Sequence, residues 1–240
     1  MNKLIGRISR SIRYRLGFRV ANPALESGER SKFVAHYQER ITHCQFLSDP
    51  EHYEHPRARW VVESLGNANQ ALEIGCGDGG MTTMVSPMVK HITALDVSEI
   101  SLEQVRKLEL PNVTTACALV EEYRPETQFD VAILSEVIEH VLEPEQVLRA
   151  VIGQLAPGGR LLITTPNGHW ESDEHIHIWT MPSLFKLLAK LDCESVEIGY
   201  IRDIENKRRW LSAVLTKPIS TPAPDDFHSK VSTMRKRVRS

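Results

Sequence analysis

Cysteine is scarce in the 240-residue sequence, and long apolar runs are missing from it. The four cysteines are scattered and form no C-x-x-C pair: Cys44, Cys76, Cys117 and Cys193. This spacing predicts neither a zinc site nor a disulfide framework, and it fits a reducing compartment. No apolar run reaches the roughly 18 residues of a transmembrane helix, and no secretory-signal core is visible. We therefore expect a cytoplasmic protein.

Strong net charge is also lacking, because 29 Lys and Arg nearly balance 31 Asp and Glu. A formal charge of −2 does not favour nucleic acid as a partner. Residues 1–20 nevertheless carry several Lys and Arg and no acid, with apolar residues at helical spacing. This basic amphipathic segment fits a helix on an anionic membrane surface, an organelle transit peptide or a plain cationic tail. Peripheral contact with the inner membrane surface therefore stays open.

Three further regions follow this segment. Residues 21–68 predict a helical cap that contributes to a substrate pocket, with helices at 31–43 and 56–65. Residues 69–216 alternate strands with helices, which indicates a parallel sheet covered on both faces. Residues 217–240 contain three prolines and predict a disordered tail. The expected strands cover residues 71–74, 91–96, 112–117, 129–134, 160–165, 195–201 and 209–216, and the helices cover 81–89, 98–108, 144–155 and 182–191.

A glycine-rich turn follows the first strand. Residues 71–80 read Ala-Leu-Glu-Ile-Gly-Cys-Gly-Asp-Gly-Gly, and glycines at 75, 77 and 79 allow a sharp turn into a helix close to a ligand. Gly75, Gly77 and Gly80 also satisfy the dinucleotide pattern G-x-G-x-x-G. Asp96 ends the second strand, where a carboxylate can bind ribose hydroxyls. Glu73 favours the cationic amino end of S-adenosylmethionine over a pyrophosphate, although it could also simply pin the loop.

The pattern Glu73-x-Gly75-x-Gly77-x-Gly79 resembles motif I of class I S-adenosylmethionine-dependent methyltransferases, the group with small-molecule, glycan and ubiquinone-pathway O-methyltransferases. Asp96 matches their ribose-binding acid, residues 129–134 their fourth strand, and residues 155–159 their turn into the fifth. The resemblance covers residues 56–216 and implies a Rossmann-like, doubly wound α/β fold with a mostly parallel seven-stranded sheet and helices on both faces. It implies that S-adenosylmethionine contacts Glu73, Gly75, Cys76, Gly77, Gly79, Asp96, Val97, Leu119 and Ser135.

The third strand departs from the family pattern. Many members have an acidic residue near the adenine at its end, whereas this chain has Cys117-Ala118-Leu119-Val120. We therefore expect the adenine contacts to come mainly from backbone and apolar groups.

Carboxylates and histidines follow the fourth and fifth strands, which end at one edge of a parallel sheet. They predict a catalytic cluster of His140, His175, His177 and Glu139. One histidine could act as a general base on a substrate hydroxyl. A less favoured hypothesis is a divalent metal held by Glu136, Glu139, His140 and His175 or His177. Its basis is the Glu-x-x-Glu-His order, which resembles that of metal-dependent small-RNA 3′-end ribose methyltransferases and of ubiquinone-pathway O-methyltransferases. A purely structural role for these residues is an alternative that the sequence favours as much as base catalysis.

The motifs together predict in-line methyl transfer from S-adenosylmethionine to an oxygen of a small molecule, a quinone precursor or a lipid-linked glycan. RNA 3′-end methylation is an alternative, but it needs a basic groove that the balanced charge does not suggest. Two further hypotheses are a non-catalytic S-adenosylmethionine-binding module and a nicotinamide-dependent oxidoreductase.

Overall fold

The computed structural model describes residues 30–170, 172, 174–219 and 238–239. The helices are α1 (Arg30–Gln38), α2 (His55–Ser64), α3 (Gly80–Val85), α4 (Glu99–Lys107), α5 (Pro144–Gln154) and α6 (Met181–Leu188). The strands are β1 (Gln70–Ile74), β2 (His91–Asp96), β3 (Val113–Cys117), β4 (Phe129–Ser135), β5 (Leu155–Pro166), β6 (Ser195–Arg202), β7 (Arg208–Thr216) and β8 (Val238–Arg239). Within these residues, every helix is too short or too polar to cross a bilayer.

The strands form one sheet in the order β3-β2-β1-β4-β5-β7-β6-β8. Strands β1 to β5 are mutually parallel, and β7 runs antiparallel between β5 and β6. The predicted doubly wound, mostly parallel sheet is therefore confirmed, with the two-residue β8 added beside β6. The strand order reverses between β1 and β4, and ligands of such sheets bind beyond the carboxyl ends of the strands at this point.

Helices cover both faces of the sheet because its central strands are apolar on both sides. Along β4, Val131 and Ile133 pack into one core, while Ala132 and Leu134 pack into the other. The first core includes residues of α2 and α3, and the second includes residues of α5 and α6. Because the helices pack on the two faces, the carboxyl ends of the central strands β1, β4 and β5 are available for a site.

Several boundaries differ from those predicted. Helix α1 ends at Gln38 instead of residue 43, and α3 ends at Val85, followed by a 3-10 turn that contains Pro87. Strand β5 starts at Leu155 instead of residue 160, because residues 156–159 form a bulge inside the strand and not a turn before it. Ser98 caps α4, since its side chain accepts a hydrogen bond from the backbone N–H of Ser101.

Two predictions lie outside the described residues. The basic amphipathic segment 1–20 is one, and most of the tail at 217–240 is the other. The described part of the predicted cap consists of α1, a 3-10 turn at Gln45–Ser48 and α2.

Candidate functional site

The glycine-rich turn connects β1 to α3 at the point where the strand order reverses. Gly75, Gly77 and Gly79 all have positive φ angles, of 71°, 54° and 89°, which strongly favour glycine. The Asp96 carboxylate accepts hydrogen bonds from the N–H groups of Gly77 and Ser98, both at 2.9 Å. Burial raises the pKa of Asp96, and these hydrogen bonds oppose the rise. Asp96 therefore ties the end of β2 to the turn.

Two cavities flank this turn, one of about 160 Å³ and one of about 300 Å³. Both are lined by Thr42, Ile74, Gly75, Glu136 and His140, so they meet beside the turn and the end of β4. A single elongated ligand can therefore occupy parts of both.

The smaller cavity is mainly apolar. Leu95 lines it together with four of the predicted cofactor residues, which are Gly75, Asp96, Val97 and Leu119. Glu121 also lines this cavity, and the sequence motifs did not identify it as a site residue. An acid thus lies two residues beyond Leu119 in a cavity lined mainly by apolar groups, and the expected apolar surroundings of the adenine stay a prediction.

The larger cavity is lined by Glu73, Gly75, Cys76 and Ser135 among the predicted cofactor residues. Glu73 accepts a hydrogen bond of 2.6 Å from the Thr82 hydroxyl of α3, and burial raises its pKa to about 8. Glu73 thus holds β1 to α3 and also faces the cavity. Gly77 and Gly79 line neither cavity, because they shape the turn itself.

Arg57 of α2 is the sole Arg or Lys among the described residues that line the larger cavity. It is 4% exposed and donates hydrogen bonds of 2.6 Å to the Glu54 carboxylate and to the Ser135 hydroxyl. Its Nε is buried without a hydrogen-bond partner. Sequence reasoning missed Arg57, since one arginine in a helical stretch carries no motif.

Carboxylates outnumber this cation. Burial raises the pKa of Glu136 to about 7 and raises the pKa of Glu139 strongly, with the nearby Glu136 adding to the second shift. Glu139 accepts a hydrogen bond of 2.9 Å from Thr165 through Oε2, whereas its Oε1 is buried without a partner. The cavity therefore favours a ligand that brings positive charge.

Glu139, His140 and His175 bring one ligand atom each to within 4.8 Å of one another. Burial lowers the pKa of His140 to about 4, and His175 contributes to the shift. Burial also lowers the pKa of His175. Both rings are therefore neutral at physiological pH and can use a nitrogen lone pair. Glu136 is not part of this group, so three of the four predicted metal ligands come together.

His177 lies apart from the other predicted catalytic residues. Its Nε2 is 2.9 Å from the carbonyl oxygen of Val141, and its ring stacks on Trp179. It lines neither cavity. This geometry is that of a residue that anchors a loop.

The segment between α1 and α2 covers the glycine-rich turn. The Asp78 N–H donates to the Thr42 carbonyl at 2.9 Å, and the Asp78 carboxylate accepts from the Cys44 N–H at 2.9 Å. The Gln45 amide donates to the Asp78 carbonyl at 2.7 Å. A Cβ at Gly80 would lie 1.9 Å from the Cys44 carbonyl oxygen. The contact between this segment and α3 thus requires glycine at position 80.

Aromatic side chains form another wall of the larger cavity. Phe46, Tyr53 and Trp170 line it, and Trp210 lies behind the last two, with ring centroids 6.3 Å from Tyr53 and 5.8 Å from Trp170. Tyr53 is 41% exposed, so this wall reaches the surface. The larger cavity therefore joins an apolar entrance to a polar interior.

The family of methyltransferase domains matches residues 50–192, which is more than half of the chain. The chain belongs to this family, and the predicted methyltransferase class is confirmed.

Among curated relatives, a ubiquinone biosynthesis O-methyltransferase of Pseudomonas fluorescens is 36% identical over 119 residues, covering 46% of this chain and 50% of the relative. The chain thus matches about half the length of this relative. Two solved structures share the fold. An N-methyltransferase NodS from Bradyrhizobium japonicum has a TM-score of 0.62 at 18% identity, covering 77% of this chain and 96% of its own. A 1,6-didemethyltoxoflavin-N1-methyltransferase from Burkholderia thailandensis has a TM-score of 0.63 at 20% identity, covering 83% and 91%.

Proposed function

We propose that the protein transfers the methyl group of S-adenosylmethionine to an oxygen of a small acceptor, such as a quinone precursor or a glycan. One observation carries the proposal: an apolar cavity beside Asp96 joins an acidic cavity at Gly75, Glu136 and His140. S-adenosylmethionine has the matching parts, an adenosine at one end and a cationic centre further along. The family match and the O-methyltransferase relatives support this assignment.

The residues at the two cavities have complementary parts in binding the donor. Asp96 accepts hydrogen bonds from the ribose hydroxyls, and the adenine lies in the smaller cavity with Glu121 at its side. The sulfonium faces the carboxylates beyond Gly75. Arg57 binds the carboxylate of the methionine part, because it is the cation that lines the larger cavity. The protein contributes an excess of carboxylates to the larger cavity, which the cationic donor offsets.

Methyl transfer from a sulfonium depends mostly on alignment and on exclusion of water, since the leaving group is already good. His140 is neutral at physiological pH and can accept the hydroxyl proton as the methyl group moves. A pKa of about 4 makes it a weak base, however. The low pKa of His140 therefore favours an acceptor whose hydroxyl is acidic or is made acidic.

The acceptor enters along the aromatic wall of Phe46, Tyr53 and Trp170. Aromatic faces favour planar rings and the apolar faces of sugars over extended charged polymers. The lack of further Arg or Lys among the described lining residues argues against RNA.

The pH dependence of binding tests this proposal. Glu73 and Glu136, with pKa values of about 8 and 7, are largely protonated at about pH 6 in the ligand-free protein, and a cation favours their ionised forms. Binding of S-adenosylmethionine should therefore release protons, and its affinity should rise about tenfold between about pH 6 and about pH 8. S-adenosylhomocysteine lacks the sulfonium charge and should show a smaller rise. Calorimetry in two buffers of different ionisation enthalpy counts the protons.

Glu73→Gln should flatten this pH dependence, with exposed Glu63→Gln as the matched control.

Donor labelled in its methyl group, incubated with catechols, glycans and short RNAs, identifies the acceptor class. Absence of affinity for both donor and product in the wild-type protein would overturn the proposed function.

A metal-assisted form of the same transfer is the second candidate. Glu139, His140 and His175 offer a carboxylate and two neutral imidazoles, and the buried Oε1 of Glu139 has no other partner. This donor set fits a divalent cation, which would lower the pKa of an acceptor hydroxyl. Without a metal, His140 is too weak a base to remove the proton of an ordinary hydroxyl easily.

Metal binding is expected to depend on these three side chains. Mn²⁺ titrated into the protein should give saturable binding by calorimetry, and His175→Asn should weaken it about 10- to 100-fold. His177→Asn is the matched control, because His177 lies outside the group. EDTA should then lower methyl transfer, with recovery on addition of metal. Equal binding by wild type and the His175 variant would eliminate this candidate.

A further inference from the structure

Three elements meet at the ring of His140. Its Nδ1 lies 3.1 Å from the backbone carbonyl oxygen of Glu174 and 3.2 Å from the hydroxyl of Tyr37, which belongs to α1. Tyr37 and Glu174 also line the smaller cavity. The groups that hold the histidine are therefore also walls of the cavity assigned to the adenosine.

The carbonyl contact decides which nitrogen of His140 carries the proton. A carbonyl oxygen can only accept a hydrogen bond, so the Glu174 contact assigns the proton of the neutral ring to Nδ1, and the Tyr37 hydroxyl oxygen then accepts from the same N–H. Nε2 then carries the lone pair, and it lies 3.8 Å from Oε1 of Glu139. The contacts at Nδ1 thus leave the basic nitrogen facing the carboxylate of the larger cavity.

Glu174 is itself held by the cap. Its carboxylate pairs with the guanidinium of Arg40, and His36 lies 3.6 Å from the same oxygen. The backbone carbonyl of Arg40 accepts hydrogen bonds from the hydroxyls of Ser98, at 2.6 Å, and Ser101, at 3.2 Å, at the start of α4. Arg40 therefore links the helix that follows Asp96 to the loop that orients His140.

We propose that Tyr37 and Glu174 are positioning residues that hold His140 with its Nε2 lone pair toward the acceptor, and that the Arg40–Glu174 ion pair makes this orientation depend on closure of the cap. The inference rests on the proposed function, because it assigns His140 to the reaction. Opening of the cap removes Tyr37 from Nδ1 and releases Glu174. The histidine is therefore set for reaction only while the cap covers the cofactor.

Removal of the Tyr37 hydroxyl is the first test. Tyr37→Phe should lower kcat about 10- to 100-fold, as loss of a group that orients a catalytic ligand does, while KM for the donor changes less than about twofold. Tyr200→Phe on β6 removes a hydroxyl outside both cavities and should leave kcat unchanged. An active wild-type enzyme whose Tyr37→Phe variant keeps full kcat would overturn the proposal.

Reversal of the ion pair is the second test. Arg40→Glu and Glu174→Arg should each lower kcat and speed donor dissociation in stopped-flow measurements, and the double variant should recover both. Arg59→Glu, which removes an exposed partner of Glu63, is the control with the same charge change. No loss in the single variants, or no recovery in the double variant, would contradict the coupling.

The ¹⁵N spectrum of His140 gives a readout that needs no activity. Wild-type protein should show the Nδ1–H form, identified by its loss in His140→Gln, and Arg40→Glu should shift it toward Nε2–H. If the wild-type protein bound no donor, the proposed function would fail, whereas an Nε2–H form in wild type would overturn the positioning of His140.

Discussion

Replacing Gly80 by alanine is expected to weaken S-adenosylmethionine binding about 100-fold while the sheet stays folded. The new Cβ would lie 1.9 Å from the carbonyl oxygen of Cys44 and 2.3 Å from its carbonyl carbon. Both are backbone atoms, so the segment that covers the glycine-rich turn must move away. Thr42, which lines both cavities, moves with it. The φ angle of Gly80 is not positive, so the effect is steric and does not come from backbone strain.

The loss should come from detached hydrogen bonds of the cap. The bonds of Asp78 to Thr42, Cys44 and Gln45 each contribute about 1 kcal/mol, which together account for a loss of this size. Gly153→Ala in α5 is the matched control, because a Cβ there meets nothing within 4 Å. That variant should bind normally and gain about 1 kcal/mol of stability from helix propensity. Calorimetry and urea unfolding measure both quantities, and normal binding by Gly80→Ala would contradict the role given to the cap.

The central strands could be predicted from the sequence because their signal is local. Strand β2 spans the predicted residues, since a buried apolar run ends at Asp96 and is bounded by polar residues. The glycine-rich turn follows from the same kind of short-range pattern, whereas the hydrogen bond from its Gly77 N–H to Asp96 was not predicted. Strand β5 was placed wrongly at its start, because Pro157-Gly158-Gly159 has turn residues that the sheet accommodates as a bulge.

The remaining site residues could not be predicted because their partners are remote in sequence. Tyr37 meets His140 across 103 residues, and Arg57 meets Ser135 across 78. Neither pair leaves a periodic pattern in the chain, since each depends on how the cap packs on the sheet. His177 is the opposite case. It lies two residues from His175 in sequence, and this proximity predicted a shared role, but its side chain is directed to the carbonyl oxygen of Val141.

Replacing Arg57 by leucine is expected to destabilise the protein by about 3 to 5 kcal/mol. Arg57 is buried, pairs with the carboxylate of Glu54 and interacts electrostatically with Glu136, so its removal leaves buried acids without this cation. The pKa of Glu136, already about 7, should rise further because Arg57 makes the largest of the contributions that lower it. The difference in stability between the variant and the wild type should therefore be largest above about pH 7. There Glu136 is ionised in the folded wild-type protein, whereas the folded variant still holds it protonated. Urea unfolding at about pH 6 and about pH 8.5 measures the difference.

Arg59→Leu provides the control for Arg57→Leu within the same helix. Arg59 is 65% exposed and pairs with Glu63, so its loss should cost less than about 1 kcal/mol. Arg57→Leu should also weaken the binding of donor and product alike, because both carry the carboxylate that Arg57 is proposed to bind. Weaker binding of the donor alone would assign Arg57 only to charge balance among the buried acids. A variant as stable as Arg59→Leu would contradict the view that one buried cation holds the acidic cavity together.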